Sequence, residues 1–316
     1  DAGVAAVVLD RARGVGGRCA TRRVDGRPVD HGLVFLHGGD PALLTAIEAV
    51  DSPRLDGWPA RIHGVGTPCQ PAAFEPGQRR MAFETGLTAF PKSLGRGLDV
   101  RLGRDVAGVR AGTDRLEVDT RAGETYRSRT VVLALALEQA RALLDGLGAE
   151  DDEVVAVRRL LATLATAPCL TLLAGYPEGT APPAWDLAYP EESTVFQLVC
   201  NDGAKRPDRR PTTLVFQARP AWSRRHLDDP PEAWAAEMLG EAGRLLGPWG
   251  AAPAWTHPHR WRHARLEAGS ELAAPVLLDL EGGPRLGLAG ELCAPGGGLQ
   301  AAFVSGRRLA QRLLAT

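Results

Sequence analysis

The sequence predicts a discontinuous α/β domain with a second domain inserted into it, and three stretches of the chain lead to this prediction. The chain opens on a continuous apolar run at residues 4–9, followed by an acid, Asp10, and a glycine-rich turn at residues 13–18. It closes on an apolar segment, a glycine-rich turn and a helical pattern over residues 285–314. Such apolar runs are typical of strands buried in a parallel sheet. In residues 150–280 proline-rich loops join the strand-like segments, and this change indicates the inserted domain.

The first half of the chain reads as short elements in regular order. Residues 41–50 have a helical pattern, and Thr85-Gly86 precedes a second one that Gly95 to Gly97 should end. Strand-like segments follow, and a helix is predicted after the last of them: strands at 99–102, 106–110, 115–120 and 130–135, with a helix at 137–147. The central two strands resemble a hairpin.

The middle and end of the chain contain longer elements. Strands are predicted at 170–174, 195–199 and 213–218, and an amphipathic helix at 231–246. Asp228 and Asp229 precede that helix, and we predict that they cap it, because carboxylates accept hydrogen bonds from the first helical amides. The last strand and helix are predicted at 285–289 and 299–314.

Composition excludes several classes of protein. The chain is 44% hydrophobic and 24% charged, which is typical of a packed domain and not of a disordered chain. Its 37 basic and 38 acidic residues nearly cancel, which argues against nucleic acid as a partner. The sequence has no apolar run long enough to cross a membrane. The five cysteines are odd in number and far apart, so we expect a cytoplasmic protein without a disulfide framework.

The first candidate site combines Asp10 with Gly16, Gly17 and Arg18. In a dinucleotide-binding unit, an acid at the end of the second strand accepts hydrogen bonds from the ribose hydroxyls. Glycines then allow the backbone to approach a pyrophosphate, and an arginine can neutralise its charge. An ordinary solvated turn explains the same residues and remains open on this pattern alone.

The second candidate site is the glycine-rich segment before the last helix. Gly290 and Glu291 follow the strand, and Gly296-Gly297-Gly298 open the helix. The amides and dipole of a helix N-terminus favour an anion or a developing negative charge. The alternative is a glycine-rich connection that packs the helix tightly on a sheet. The two candidates support each other because they stand at opposite ends of one split domain.

With these motifs, the chain resembles the renalase-like branch of the flavin-containing amine oxidase superfamily. The resemblance covers nearly the whole length, and the features that point to this branch are the Gly16-Gly17-Arg18 turn in combination with the Trp222-Ser223 pair and the stretch from His259 to Arg262. The matching segments are residues 8–18, Thr21-Arg22-Arg23, Asp30-His31-Gly32, residues 201–205, Ala221-Trp222-Ser223, residues 259–264 and residues 288–306.

The resemblance implies a domain organisation. It implies a discontinuous, Rossmann-like FAD-binding domain of the p-hydroxybenzoate-hydroxylase type, formed by residues 1–36, 78–148 and 282–316, with an inserted α+β substrate domain formed by residues 37–77 and 149–281. The first strand of that fold and its G-x-G-x-x-G motif are expected before Asp1 and are missing from the sequence.

The resemblance also implies residues that hold FAD. It assigns Asp10 to the ribose, Arg18 to the region of the pyrophosphate and flavin, and the backbone of Val106 to adenine. Glu291 stands where the family has Asp, and Leu299 and Gln300 lie at the helix start under the flavin. The full predicted set is Asp10, Arg11, Gly16, Gly17, Arg18, Val34, Phe35, Val106, Gly290, Glu291, Gly298, Leu299 and Gln300.

Two departures from the family pattern concern the flavin region. After Asp30-His31-Gly32 this chain has Leu33-Val34-Phe35 where the family tends to have polar groups, and Leu137 replaces a proline. Two alternatives remain open beside an enzyme. The missing first strand and Glu291 in place of Asp leave open a non-enzymatic scaffold that no longer binds FAD. The apolar segment 33–36 leaves open an interaction module that uses it as a contact surface.

The predicted activity is flavin-dependent oxidoreduction of a small molecule. FAD would take a hydride from an amine or a dihydronicotinamide-like substrate, and oxygen or another acceptor would reoxidise it. No side chain is assigned as catalytic, and Glu84 and Lys205 are interpreted as structural. His257, His259 and His263 have spacing that could suit a metal, but Pro258 interrupts a helix there, so no metal site is predicted.

Overall fold

The computed structural model describes residues 3–148, 151–208 and 211–315. Its strands are β1 (Val7–Asp10), β2 (Thr21–Val24), β3 (Arg27–Asp30), β4 (Leu36–Gly38), β5 (Arg54–Asp56), β6 (Ile62–His63), β7 (Arg79–Phe83), β8 (Asp99–Leu102), β9 (Val106–Ala111), β10 (Leu116–Thr120), β11 (Thr125–Ser128), β12 (Thr130–Leu133), β13 (Thr166–Gly175), β14 (Leu187–Ala188), β15 (Phe196–Asn201), β16 (Thr213–Ala218), β17 (Trp255–Leu266), β18 (Val276–Asp279) and β19 (Arg285–Leu288). Its α-helices are α1 (Pro41–Glu48), α2 (Ala89–Leu94), α3 (Leu137–Asp145), α4 (Asp152–Ala162), α5 (Pro220–Arg225), α6 (Pro231–Leu246) and α7 (Gly298–Leu314).

The chain forms two compact units, each assembled from separate segments. The first unit contains Asp1–Val15, Gly95–Thr166 and Arg265–Thr316, and the second contains Gly16–Leu94 and Ala167–Ala264. These limits follow physical compactness, and they place residues 16–36 and 78–94 in the second unit. The functional domain limits given above remain a prediction, and residues 149 and 150, at one of those limits, lie outside the described residues.

The first unit has parallel strand pairs at both ends of the chain. β1 pairs with β8 in parallel, and β12 pairs in parallel with β19, which β18 joins in antiparallel orientation. β9, β10 and β11 form an antiparallel meander, which confirms the predicted hairpin. Leucines and valines of these elements, including Leu116, Leu133 and Leu286, pack with α3 and α4 in one core.

β1 corrects one expectation. It is a parallel strand, as the apolar run predicts, but it is not buried: Val7 is 47% exposed and Val8 42%. Among the described residues β8 is its only hydrogen-bonded strand neighbour, so one edge of β1 has no partner. Apolar character therefore predicted the strand but not its burial.

The second unit is built on a six-stranded sheet in the order β17-β13-β16-β15-β14-β6. α6 packs on it through Trp234 and Met238, which lie in a core with Leu172 and Phe216. The hairpin β2-β3 and the small sheet β4-β7-β5 complete the unit.

The start of α6 corrects a second expectation. Its limits match the prediction, but the residue before it is Pro230, and no side chain caps it. Asp229 instead accepts from Nδ1 of His226 at 2.9 Å, and Asp228 accepts from Arg262 at 2.7 Å. Both carboxylates therefore accept hydrogen bonds from side-chain nitrogens and not from the first amides of α6. In addition, Pro231 at the first helical position has no N–H group that needs a cap.

Candidate functional site

The glycine-rich segment before α7 has the backbone geometry of a ligand cradle. Gly296, Gly297 and Gly298 all have positive φ, at 85°, 58° and 69°. A Cβ atom placed on Gly296 or Gly298 would meet no atom within 4 Å. Three left-handed residues in a row are sterically open only to glycine, and here they leave open space at the start of a helix.

The first amides of α7 face no competing acceptor. No side chain caps the helix, and in the described part of the chain the amides of Gly298 and Leu299 have no hydrogen-bond acceptor. α7 is 17 residues long, so the positive end of its dipole reinforces these two donors. The arrangement suits the electron-rich edge of a flavin, and the residues present therefore fit FAD.

Gly290 is fixed to the same helix by a buried hydroxyl. Ser305 of α7 accepts from the amide of Gly290 at 3.0 Å and donates to its carbonyl at 2.8 Å. Ser305 is fully buried, and Gly290 has a φ of 132°. Glu291 follows in a short 3-10 turn. The end of β19 and the start of α7 are thus held together, as expected for a cofactor site at the carboxyl end of a parallel strand.

Asp10 lies at the carboxyl end of β1, also in the first unit. Its Oδ1 accepts from the amide of Ala12 at 2.8 Å, which orients the carboxylate, and its backbone carbonyl accepts from Arg104. Arg11 is exposed, and its guanidinium faces the side-chain oxygen of Gln139. Val106 begins β9 and is half-buried. A carboxylate at such a strand end fits the hydroxyls of a ribose.

In the second unit, the Gly16–Arg18 turn is held by close backbone packing. Gly16 and Gly17 have φ values of 122° and 49°, and the carbonyl of Arg18 accepts from the amide of Leu33 at 2.8 Å. A Cβ atom on Gly32 would lie 2.1 Å from that carbonyl oxygen, so only glycine fits there. The Arg18 guanidinium donates to the carbonyl of Ala264 at 3.2 Å.

A buried group of four charges lies beside this turn, and we call it the ion cluster: Asp30, Asp202, Lys205 and Arg206. Nζ of Lys205 lies 2.6 Å from both Asp30 and Asp202, and it donates to the carbonyl of Val34 at 3.0 Å. Arg206 bonds Asp202 at 2.6 Å and Asp30 at 3.2 Å. Two carboxylates and two cations cancel in charge, which is the condition for burying them at all.

The ion cluster keeps its charges at neutral pH. Burial alone would raise the pKa of Asp30, but the charges of Lys205 and Arg206 hold it below its ordinary value. Burial would likewise lower the pKa of Lys205, but Asp202 and Asp30 raise it. The interpretation of Lys205 as structural fits these contacts. Sequence reasoning missed the cluster, although a rare lysine in an arginine-rich chain was a signal.

Three rings pack together next to Asp30, and we call them the aromatic group: His31, His259 and Trp261. The ring centroids of His31 and His259 are 4.7 Å apart, and those of His259 and Trp261 are 4.3 Å apart. The indole N–H of Trp261 donates to the carbonyl of His31 at 3.0 Å. Burial, then the neighbouring His259 and Arg22, lowers the pKa of His31 to about 4, and burial with Arg22 does the same for His259. Both imidazoles are therefore neutral at pH 7.

Other predicted residues lie in unexpected surroundings. Val34 and Phe35 are completely buried, and the Phe35 ring packs against Trp58 and Phe74. In this arrangement they support the chain beside the ion cluster. His257, His259 and His263 lie in the strand β17, where alternate residues share a face, and no group able to hold a metal occurs among the described residues. No helix in the ranges 3–148, 151–208 and 211–315 has the length and apolar character needed to cross a membrane.

Comparison with known families identifies two matches in the chain. Residues 64–314 match the profile of flavin containing amine oxidoreductases, and residues 1–48 match an NAD(P)-binding Rossmann-like domain. The first match covers well over half of the chain.

Comparison with solved structures supports the same fold. Wild-type putrescine oxidase bound to putrescine has a TM-score of 0.70 at 14% identity, over 100% of this chain and 94% of that chain. Cyclohexylamine oxidase from Brevibacterium oxydans IH-35A has a TM-score of 0.54 at 15% identity, over 75% of this chain and 55% of that chain. At these identities the similarity establishes the fold, and the predicted α/β class with a Rossmann-like domain is confirmed.

Proposed function

The chain belongs to the flavin containing amine oxidoreductase family, and we propose that it takes a hydride from a small amine or a dihydronicotinamide-like substrate. It is an oxidoreductase, and FAD is the cofactor that its family implies. When bound, FAD accepts the hydride, and we propose that oxygen or another acceptor regenerates it. The observation that carries this proposal is the start of α7, where no side chain caps the helix and the glycines Gly296 and Gly298 have no atom within 4 Å of a Cβ position.

The residues of the first unit are proposed to hold FAD through charge and backbone. The amides of Gly298 and Leu299, with Gln300 beside them, would favour negative charge on the flavin edge. Asp10 would accept hydrogen bonds from ribose hydroxyls, with Arg11 next to it, and the backbone of Val106 would contact adenine. Gly290 and Glu291 would lie by the ribityl or pyrophosphate region of FAD. The bond from the Gly290 amide to Ser305 fixes the position of this segment on α7.

In the second unit, Gly16, Gly17 and Arg18 are proposed to bind the pyrophosphate. The Leu33 amide and the absence of a side chain at Gly32 fix the Arg18 carbonyl, and this supports the proposal. Val34 and Phe35 would contribute as buried supports of this segment. The neutral imidazoles of His31 and His259 would add no positive charge to their surroundings at pH 7.

We also propose that the chain belongs to the renalase-like branch and that its FAD-binding and substrate domains have the predicted limits. In support of the branch, three of its motifs contact one another: Asp30 pairs with Lys205, and His31 meets His259 edge-to-face and stacks on Trp261. Separate matches to unrelated proteins would have no reason to converge in this way.

The test is a visible spectrum of the purified protein after addition of FAD and removal of the unbound cofactor. We expect a flavin band that bleaches without oxygen on addition of a substrate. Putrescine and a dihydronicotinamide are tested separately, so that the result distinguishes an amine from a dihydronicotinamide substrate. A well-folded, colourless protein that takes up no FAD contradicts the proposal.

Substitution of Arg18 tests the proposed pyrophosphate site. Arg18→Ala should weaken FAD binding roughly tenfold or more, since a hydrogen bond to a charged group contributes about 1.5–3 kcal/mol. The matched control is Arg23→Ala, an exposed arginine in the hairpin β2-β3, which follows the turn that contains Arg18. FAD affinity is measured by fluorescence titration, and equal affinity in both variants would contradict the assignment.

A further inference from the structure

An open cavity of about 550 Å³ lies within the second unit. No residue of the ion cluster or of the aromatic group lines it. Its lining includes Thr67, Glu191, Thr194, Arg219, Trp222 and Arg225. The volume is in the range of small-molecule sites. Trp222 belongs to one of the motifs that carry the family resemblance, but the proposed function gives that residue no role.

The walls of the cavity are held in place by backbone contacts. Gly66 donates to the carbonyl of Tyr189 at 3.0 Å, and a Cβ atom on Gly66 would lie 2.6 Å from that oxygen. This close approach places Thr67 at the cavity. Trp222, another lining residue, is nearly buried, and its ring packs against His226 with centroids 4.3 Å apart.

Arg219 is a fixed part of the lining. Its Nε donates to the carbonyl of Ser193 at 2.6 Å, and its Nη2 donates to the carbonyl of Pro190 at 3.1 Å. Its Nη1 has no acceptor within the described ranges. A guanidinium held rigidly by two of its nitrogens and open at the third is preorganised to bind a ligand.

Further polar groups of the lining have no partner in the protein. The guanidinium of Arg225 and the hydroxyls of Thr67 and Thr194 make no hydrogen bond to any described residue. Arg225 and Thr194 are exposed, so solvent satisfies them when no ligand is bound. Two cations face one carboxylate, that of Glu191, and the lining therefore has an excess of positive charge.

We propose that this cavity binds the oxyanion of a small acid, either a carboxylate or a phosphate monoester. Arg219 and Arg225 supply the charge, the two threonine hydroxyls donate to the remaining oxygens, and the Trp222 side contacts an apolar part of the ligand. Guanidinium groups match the geometry of both oxyanions. The site does not depend on FAD, so its failure and that of the proposed function are distinguishable.

Isothermal titration calorimetry with three probes tests the site, with and without FAD present. The probes are phenyl phosphate, benzoate and a matched control without an oxyanion, benzyl alcohol. We expect binding of at least one of the two acids and none of the control. Binding of phenyl phosphate alone assigns the site to phosphate monoesters, and binding of benzoate alone assigns it to carboxylates. Absence of binding by both acids, or binding of benzyl alcohol as tight as that of the acids, overturns the proposal.

Two substitutions in α5 locate the binding in this cavity. Arg225→Gln should weaken acid binding roughly tenfold, because it removes a charged hydrogen bond. The control is Arg224→Gln, its exposed neighbour, which does not line the cavity and should change binding by about twofold at most. Both positions are exposed, so the fold should persist, and circular dichroism verifies it. Equal binding by the parent protein and Arg225→Gln places the acid elsewhere and overturns the assignment.

Discussion

Lys205 illustrates how the identity of one residue follows from its partners. The chain contains two lysines, Lys92 and Lys205, among 37 basic residues, and Lys205 is completely buried. Its ammonium group has three donors, and it meets three acceptors: Asp30, Asp202 and the carbonyl of Val34. A planar guanidinium needs more acceptors in a wider arrangement, so Lys205→Arg would not be a conservative change.

The neutral state of the buried histidines predicts a pH dependence of stability. The pKa of His31 and of His259 falls from 6.5 to about 4 on folding, so the unfolded chain binds more protons between these values. Stability should therefore decrease as pH falls from 6.5 towards 4. With a discount for the partial exposure of His259, we expect a loss of about 1–3 kcal/mol between pH 7 and pH 5.

Urea denaturation at a series of pH values measures this loss. His31→Phe should flatten the dependence below pH 6.5, because phenylalanine does not titrate. Between pH 7 and pH 8, where the imidazole is neutral in both states, the parent protein and the variant should have parallel profiles. An equally steep loss in the variant would show that other groups cause it.

At the scale of elements, α7 depends on its link to the end of β19. The Ser305 hydroxyl bonds both the amide and the carbonyl of Gly290, and Ser305 itself is fully buried. This link sets the position of the glycine-rich segment relative to the helix. The bond joins two residues that are 15 positions apart in the chain.

Ser305→Ala and Gly306→Ala should have opposite effects on stability. Ser305→Ala removes the hydroxyl that bonds the part-buried Gly290 amide and should cost about 1 kcal/mol. Gly306→Ala should add about 0.5–1 kcal/mol, since the position is helical and a Cβ atom there meets nothing within 4 Å. Thermal and urea denaturation measure both. A neutral Ser305→Ala variant would mean that water replaces the hydroxyl.

A strand that continues for 12 residues explains the pattern around His259. In β17, residues with odd numbers from Trp255 to His263 share one face, because successive side chains point to opposite sides of a sheet. The ring centroids of Trp255 and His257 are 5.4 Å apart, and those of His259 and Trp261 are 4.3 Å apart. The spacing that resembles a metal site is therefore an aromatic row.

At the scale of the whole molecule, each compact unit needs segments that are distant in sequence. In the second unit, β14 pairs with β6, and Asp30 neutralises Lys205 across 175 positions. Neither segment of this unit has its complete set of partners alone. Folding of the unit therefore requires closure of long loops.

Fragments of the second unit test this dependence. A fragment of residues 167–264 should show no cooperative unfolding, because Lys205 and Arg206 lose Asp30 and β14 loses β6. Residues 16–94 joined to 167–264 by a glycine–serine linker should restore a cooperative transition, because that chain contains the whole unit. Urea denaturation followed by circular dichroism measures both chains. A cooperative transition in the isolated 167–264 fragment would show that the ion cluster is dispensable for folding.

Local signals were sufficient for a large part of the fold. Amphipathic periodicity predicted α6 with its observed limits, and β16 was predicted residue for residue. The hairpin β2-β3 and the helix α4 were missed, because neither has a long apolar run. The family and the cofactor were predicted from the resemblance, because its motifs are recognisable in the sequence without coordinates.

The sequence by itself determined the α/β class, most of the element order and the glycine-rich starts of the candidate site. Only the tertiary structure decided that β1 is exposed, that Asp228 and Asp229 bond Arg262 and His226 in place of capping α6, and that Asp30 meets Lys205. The physical reason is the distance along the chain over which each kind of interaction acts. Helix and strand preferences act over a few neighbouring residues. Burial and charge pairing depend on partners that only the folded chain brings within a few ångströms.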